Sequence, residues 1–238
     1  MKRVQKTYII AEMAFSHDGS EARALEIVEG AAASGANAIS IHTTDMPSYM
    51  VQHYGSGPGR VSAGKDTQPI YDYLVEINPS QEVWERVVAR AKALGLDIVI
   101  MPNDSPSLAF SETLAPTAYV LSAAAFVDVP FVEELAGKGR PVYLRVGGAT
   151  LGEIADAIAL LRQHGAEDLT LLFGHQNYPT DVADTDLMFL ACLKETFGLP
   201  VGLADHIDAD NELATILPLM ALPIGATVIE KHLTYDRS

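Results

Sequence analysis

Short apolar, β-prone runs recur along the chain between longer segments whose apolar residues fall every three or four positions. The runs are YIIAEMA (8–14), AISIHT (38–43), DIVIMP (97–102), AYVLSA (118–123), PVYLRV (141–146), LTLLFG (169–174), VGLADH (201–206) and TVIEKHL (227–233). Segments such as ARALEIVEGAAASGA, QEVWERVVARAKALGL, TLGEIADAIALLRQHGA and TDLMFLACLKETFGL carry helical periodicity and end near glycine, a common helix stop. The runs are too apolar for a sheet with one face in water. Eight alternations of strand and helix therefore predict a parallel sheet closed into a TIM-type (β/α)8 barrel, one domain over residues 1–238.

Two segments depart from that regularity. Between Thr44 and Pro79 runs a long connection rich in Gly, Pro, Ser and Tyr, which follows the second strand and is expected to fold over the catalytic mouth of the barrel. The other departure is that the sequence ends at Ser238, soon after the eighth strand, with no residues for a last covering helix. Either another element caps the barrel there, such as the second subunit of a homodimer, or the chain is a truncated form.

Composition narrows the class. With 48% hydrophobic residues the chain can bury a large core, yet no stretch reaches the roughly 18 apolar residues of a membrane span. The start, MKRVQKTYIIAE, passes from a short basic segment into a strand that breaks at Glu12, so a cytoplasmic protein without signal peptide or anchor is expected. Thirty-one acidic against 16 basic residues give a formal charge of −15, which repels nucleic-acid backbones and anionic lipid. A small anionic substrate is still compatible, because a metal or a local cation can reverse the field inside one pocket. The single cysteine, Cys192, lies in the apolar stretch LMFLACLKETF and is expected to be a core residue rather than a nucleophile.

In a barrel of this type the chemistry sits where strands end and βα loops begin. Those positions hold Glu12 and His17, His42, Asn103 and Asp104, Arg145, His175 to Tyr178, Asp205 and His206, and Glu230 and His232. Two neutral imidazoles from the neighbouring seventh and eighth strands can bind one divalent ion and leave positions open for water and substrate. His206 and His232 are thus the candidate metal ligands, completed by a carboxylate or water. Glu12, next to the eighth strand in a closed barrel, is a candidate general base, substrate contact or partner of a metal-bound water; the alternative is a buried carboxylate paired with Lys231 or Arg145. Lys231 alternates with His232 and is expected to face the helices. Arg145, His175, Gln176, Tyr178, His42 and Asn103 are the expected substrate contacts.

With those residues placed, the chain resembles the barrel domain of the sialic acid synthase family, which condenses phosphoenolpyruvate with an amino-sugar aldehyde to make nonulosonic acids. The similarity runs through YIIAEMAFSHDG, SGANAISIHT, PVYLRVGGATLGEI, NYPTDVADTDL, LPVGLADH and GATVIEKHLTYDRS, the last two being the most specific. The resemblance implies catalysis by Glu12, His206 and His232, a divalent ion on the two histidines, and Tyr178 near the amino sugar. That ion is expected to be manganese, with magnesium, cobalt and zinc as alternatives. The departures fall on groups that hold the phosphate. Ser40 and Val120 stand where the family has lysines, Ala123 and Ala125 replace a serine and a glutamate, Met101 replaces a threonine, and Arg145 a serine. Each lost charge-assisted hydrogen bond is worth roughly 1.5–3 kcal/mol, so weak use of phosphoenolpyruvate is expected unless Arg145 and His175, or Arg60 and Lys65 on the long connection, replace them. Residues 1–238 also contain no counterpart of the family's C-terminal antifreeze-like domain, so a barrel without that domain is expected. The leading expectation is a metal-dependent enzyme joining a three-carbon enol, phosphoenolpyruvate or pyruvate, to a sugar aldehyde. A metal-dependent aldolase or lyase on a related sugar acid, and a catalytically silent sugar-binding barrel, are the alternatives.

Overall fold

The computed structural model describes residues 6–52 and 70–235. Strands β1 (Tyr8–Glu12), β2 (Ala38–Thr43), β3 (Asp97–Pro102), β4 (Ala118–Ser122), β5 (Val142–Arg145), β6 (Leu169–Phe173), β7 (Val201–Asp205) and β8 (Ala226–His232) pair in parallel in sequence order. β8 returns to β1 with Tyr8 opposite Val228 and Glu12 opposite His232, which closes the barrel. The TIM-type barrel expected from the alternation is the fold observed.

Around it run α1 (Glu21–Ala33), α2 (Met46–Tyr49), α3 (Ile70–Ile77), α4 (Gln81–Ala93), α5 (Ser105–Thr113), α6 (Val129–Ala136), α7 (Leu151–Gln163), α8 (Met188–Phe197) and α9 (Leu217–Ile224). Local chemistry sets their ends. α1 starts at Ser20, whose side chain caps Arg23 N, and it buries Ala24, Ile27, Val28 and Ala31, the spacing of one helical face. α7 starts with a reciprocal capping box between Thr150 and Glu153. α8 stops at Gly198, which takes the left-handed conformation an L side chain resists.

Strand alternation then makes two cores. One set of side chains faces the helices, where Ile39, Ile41, Ile98, Ile100, Leu144 and Leu171 pack against the buried helix stripes. The other fills the barrel itself, with Ile10, Ala38, Val99, Val120, Leu172 and Val228 in contact inside it. Gly202 on β7 leaves room for this layer, since a Cβ there would lie 2.6 Å from both Leu172 Cδ2 and Val228 O.

Two expectations need correction. The connection from Thr44 to Pro79 is not a plain loop in its described parts, because α2 and α3 form at its two ends; Arg60, Lys65 and the rest of the expected cover lie outside the described residues. Cys192 is exposed rather than core. α8 buries Leu190 and Leu193, and Cys192 falls on another face with its Sγ 3.9 Å from Thr196 Oγ1. Among the described residues no helix is long and apolar enough to cross a membrane.

Candidate active site

The alternation that places Ile10, Ala38, Tyr143 and Val228 inside the barrel also turns Glu12, His42, Arg145 and Glu230 inward at its carboxyl end. Arg145 reaches across from β5 to the opposite wall. Its Nη2 donates to Glu12 Oε2 at 2.5 Å and lies 2.8 Å from Glu230 Oε1, while Nη1 sits 3.8 Å from Met101 Sδ. All three charged groups are almost wholly buried, at 0%, 1% and 4% exposure for Glu12, Glu230 and Arg145. Glu12 also accepts a hydrogen bond from Ala14 N at 2.9 Å and lies 3.2 Å from His42 Nε2. Neither Glu230 oxygen has a hydrogen-bond partner among the described residues; its contact with Arg145 is ionic and poorly aligned.

The two carboxylates therefore differ. Burial alone would raise Glu12, but Arg145, His42 and His232 outweigh it and hold its carboxyl well below the ordinary range. Burial also raises Glu230, and with Glu12 adding to that effect Arg145 does not reverse it, so Glu230 stays above the ordinary range. Arg145 is firmly protonated: burial disfavours its charge, and the two glutamates restore it and more.

Beside this cluster stand His206, just past β7, and His232, at the end of β8. Their ring centroids are 4.9 Å apart with planes at 51°, and His206 Nδ1 and His232 Nε2 are buried without hydrogen-bond partners among the described residues. Burial, with His232 and Arg145 nearby, pulls His206 down to about 4. Burial also lowers His232, against the opposing pull of Glu12. Both rings are thus neutral near pH 7, the form in which imidazole binds a metal. Among the described residues no group of three or more His, Cys, Asp or Glu is placed to hold an ion. The pair suits an ion that draws its other ligands from water and substrate.

The loop after β6 reaches this pair because Gly174 has no side chain: a Cβ there would lie 1.8 Å from Ala204 O. Thr180 N then donates to His206 O at 2.8 Å and pins the loop. Tyr178, 63% exposed, stands with its ring 5.8 Å from that of His232. His175 packs edge-on to Phe173 and borders a narrow cleft with His206 and Thr180. His42, Asn103 and Gln176 instead line a separate cavity of about 610 Å³ at the mouth beside β2, β3 and β4, together with Phe15, Met101 and Ser122. That volume lies within the usual range for small-molecule sites.

The expected residues thus divide. Arg145 does not present a free cation to a substrate, because its guanidinium is committed to Glu12 and Glu230. Of the two partners proposed for Glu12, Arg145 is the one observed. Lys231 faces outward and bonds Asp205 and Ala214 O, holding the ends of β7 and β8 together. Asp104 caps α5 by accepting from Ser107 N, and His17 accepts from Gly19 N with its ring edge-on to Trp84; both act in turns. Glu230, placed at its strand end by the sequence but given no role there, proves to be a member of the site, as its alternation with His232 and Val228 implies.

The NeuB family model matches residues 27–238. The pseudaminic acid synthase of Helicobacter pylori is 29% identical over 99% of this chain and 68% of its own length. The N,N'-diacetyllegionaminic acid synthase of Legionella pneumophila is 28% identical over 97% of this chain and 65% of its own. The chain therefore spans about two thirds of the length of these relatives. In fold it superposes on an N-acetylneuraminic acid synthetase from Leptospira borgpetersenii serovar Hardjo-bovis with a TM-score of 0.82, at 23% identity, covering 100% of this chain and 78% of the other. With the barrel, the inward charged cluster and the paired histidines in place, the match over residues 27–238 shows that this chain belongs to the NeuB family.

Proposed function

We propose that this protein forms a carbon–carbon bond between a three-carbon enol and a sugar aldehyde, as nonulosonic acid synthases do, in a site at the carboxyl ends of β1, β2, β7 and β8. The observation that carries this is the meeting of two neutral imidazoles, His206 and His232, each with one buried nitrogen that has no hydrogen-bond partner among the described residues, with Tyr178 above them and the Glu12–His42 contact beside them. His206 and His232 would hold a divalent ion, manganese in the first place and magnesium, cobalt or zinc as alternatives. Such an ion supplies Lewis-acid polarisation of a carbonyl.

The chain's own residues do the rest. Tyr178 offers a ring face and a hydroxyl to the sugar beside His232, and Gln176 and Asn103 present amides to hydroxyl groups at the cavity mouth. Glu12, wholly buried and bonded to Arg145 and Ala14 N, acts through His42 and does not touch substrate itself. Arg145 offsets the charge of the two interior carboxylates and holds Glu12 in place.

His206→Ala and His232→Ala should each abolish binding of Mn²⁺ measured by electron paramagnetic resonance, and coupling activity with it. Full metal occupancy in both variants would refute the assignment.

A further inference from the structure

We infer that a cavity between the starts of α4 and α5 is a second ligand site, apart from the barrel mouth and built for one hydroxyl-rich molecule the size of a single sugar ring. Such a site stands whether or not the reaction proposed above is the right one.

The cavity measures about 290 Å³ and is walled by the end of β2, the turn into α4 and the first turns of α5. That volume falls at the lower end of small-molecule sites, which suits one ring rather than a chain of them. Thr43, the outward neighbour of inward His42, forms its floor with Ser107 and Trp84, all three almost wholly buried. Gln81 and Pro106 stand exposed at the rim. Pro106 also lines the 610 Å³ cavity of the mouth, and Asp45 N at the smaller cavity donates to Asp104 Oδ2 at the larger. The two spaces therefore lie back to back across the β3–α5 turn.

The lining keeps hydrogen-bonding groups that the fold has not used up. Asn78 spends its amide N–H on Thr44 O, which leaves Oδ1 to accept. Thr44 Oγ1 accepts from Asn103 Nδ2 and retains its own proton to donate. Asp45 accepts from Ser48 through Oδ2, leaving Oδ1. Ser107 is held by its backbone, N to Asp104 and O from Ser111, so its hydroxyl is left over. Amide and carboxylate oxygens beside hydroxyls that both donate and accept are the complement of a ring with several neighbouring hydroxyl groups.

Trp84 adds an independent sign. Its indole is 2% exposed and packs edge-on to His17 with centroids 5.4 Å apart, yet its Nε1 has no hydrogen-bond partner among the described residues. Buried N–H groups left unpaired are rare in folded proteins, and this one belongs to a residue of the cavity floor. With Phe110 and Pro79 it also gives the lining an apolar side for the C–H face of a ring. Trp84 is the single tryptophan of the 238 residues, so tryptophan fluorescence reads this corner of the protein.

The test is titration of the full chain, in chelator, with mannose, N-acetylmannosamine and, separately, inorganic phosphate, followed by Trp84 fluorescence and by saturation-transfer NMR of the added compound. Native protein should give a saturable fluorescence change with at least one of the two sugars and none with phosphate. Gln81→Ala and Ser107→Ala should each raise the midpoint about fivefold, as the loss of one neutral hydrogen bond does. His232→Ala, which alters the mouth, should leave the midpoint unchanged. The site is overturned if neither sugar changes the signal, if both wall variants keep the native midpoint, or if His232→Ala shifts it as much as they do. A saturable response to phosphate overturns the ligand class. Gln81 is exposed, so its variant carries the test even if Ser107→Ala fails to fold.

Discussion

Arg145 carries more of the interior's electrostatics than any other residue described, since two buried carboxylates from the far side of the barrel depend on it. Removing one partner from a buried charge network leaves the others uncompensated, which costs about 3–5 kcal/mol, more than the network contributes against a well-packed apolar substitute. Arg145→Met should therefore lower stability by about that amount in urea denaturation, and the triple change Glu12→Gln, Arg145→Met, Glu230→Gln should recover most of it. Equal stability of Arg145→Met and native protein would show that the charges are not buried as described. His17 gives the protein a pH dependence of known sign. Burial, and secondarily His42, depresses it from 6.5 to about 4, so folded protein keeps the ring neutral while unfolded chain protonates it. Its contribution is fully present above pH 6.5 and is lost as pH falls towards 4, on the order of 3 kcal/mol over that window. Urea unfolding of metal-free protein at pH 7, 5.5 and 4.5 should show the decline, and His17→Gln should make it shallower whatever its effect at pH 7, the remainder coming from His206 and His232, which burial lowers in the same sense.

Elements rather than single residues bring the halves of the site together, and the loop after β6 is the clearest case. Gly174 passes so close to Ala204 O that even a methyl group displaces the loop that carries His175, Gln176 and Tyr178. Gly174→Ala should leave the far-ultraviolet spectrum of the barrel intact but raise KM for the sugar aldehyde by tenfold or more, because Tyr178 loses its place above His232; an unchanged KM would contradict the role given to this loop. At this scale the sequence was informative where periodicity is strong. The eight strand runs and the four quoted helical segments match the observed elements to within three residues at either end, because apolar spacing reports directly which face is buried. α3 was hidden because IYDYLVEI is short and follows a Gly- and Pro-rich stretch, whose turn chemistry dominates any local reading. Cys192 was misplaced for a different reason: α8 is apolar on several sides, so composition did not reveal which stripe faces the barrel.

The whole molecule adds what no local pattern contains. Glu12, His42, Glu230 and His232 could be read as inward-facing from strand alternation, but that Arg145 would join Glu12 to Glu230 depends on closure, which sets β5 across the lumen from β1 and β8. His175 lies off the cavity lined by His42, Asn103 and its own neighbour Gln176, although all four stand at strand ends. In the proposed reaction this mouth joins a three-carbon donor to an aldehyde through residues gathered from opposite ends of the chain. The most direct measurement is mass spectrometry of products from ¹³C-labelled pyruvate and phosphoenolpyruvate, each with N-acetylmannosamine, comparing native protein in Mn²⁺, native protein in chelator, and the His206→Ala, His232→Ala double variant. Of the three samples, only native protein in Mn²⁺ should yield a labelled coupled sugar acid. A product formed equally in chelator or by the double variant, or no coupled product from either donor, would contradict it.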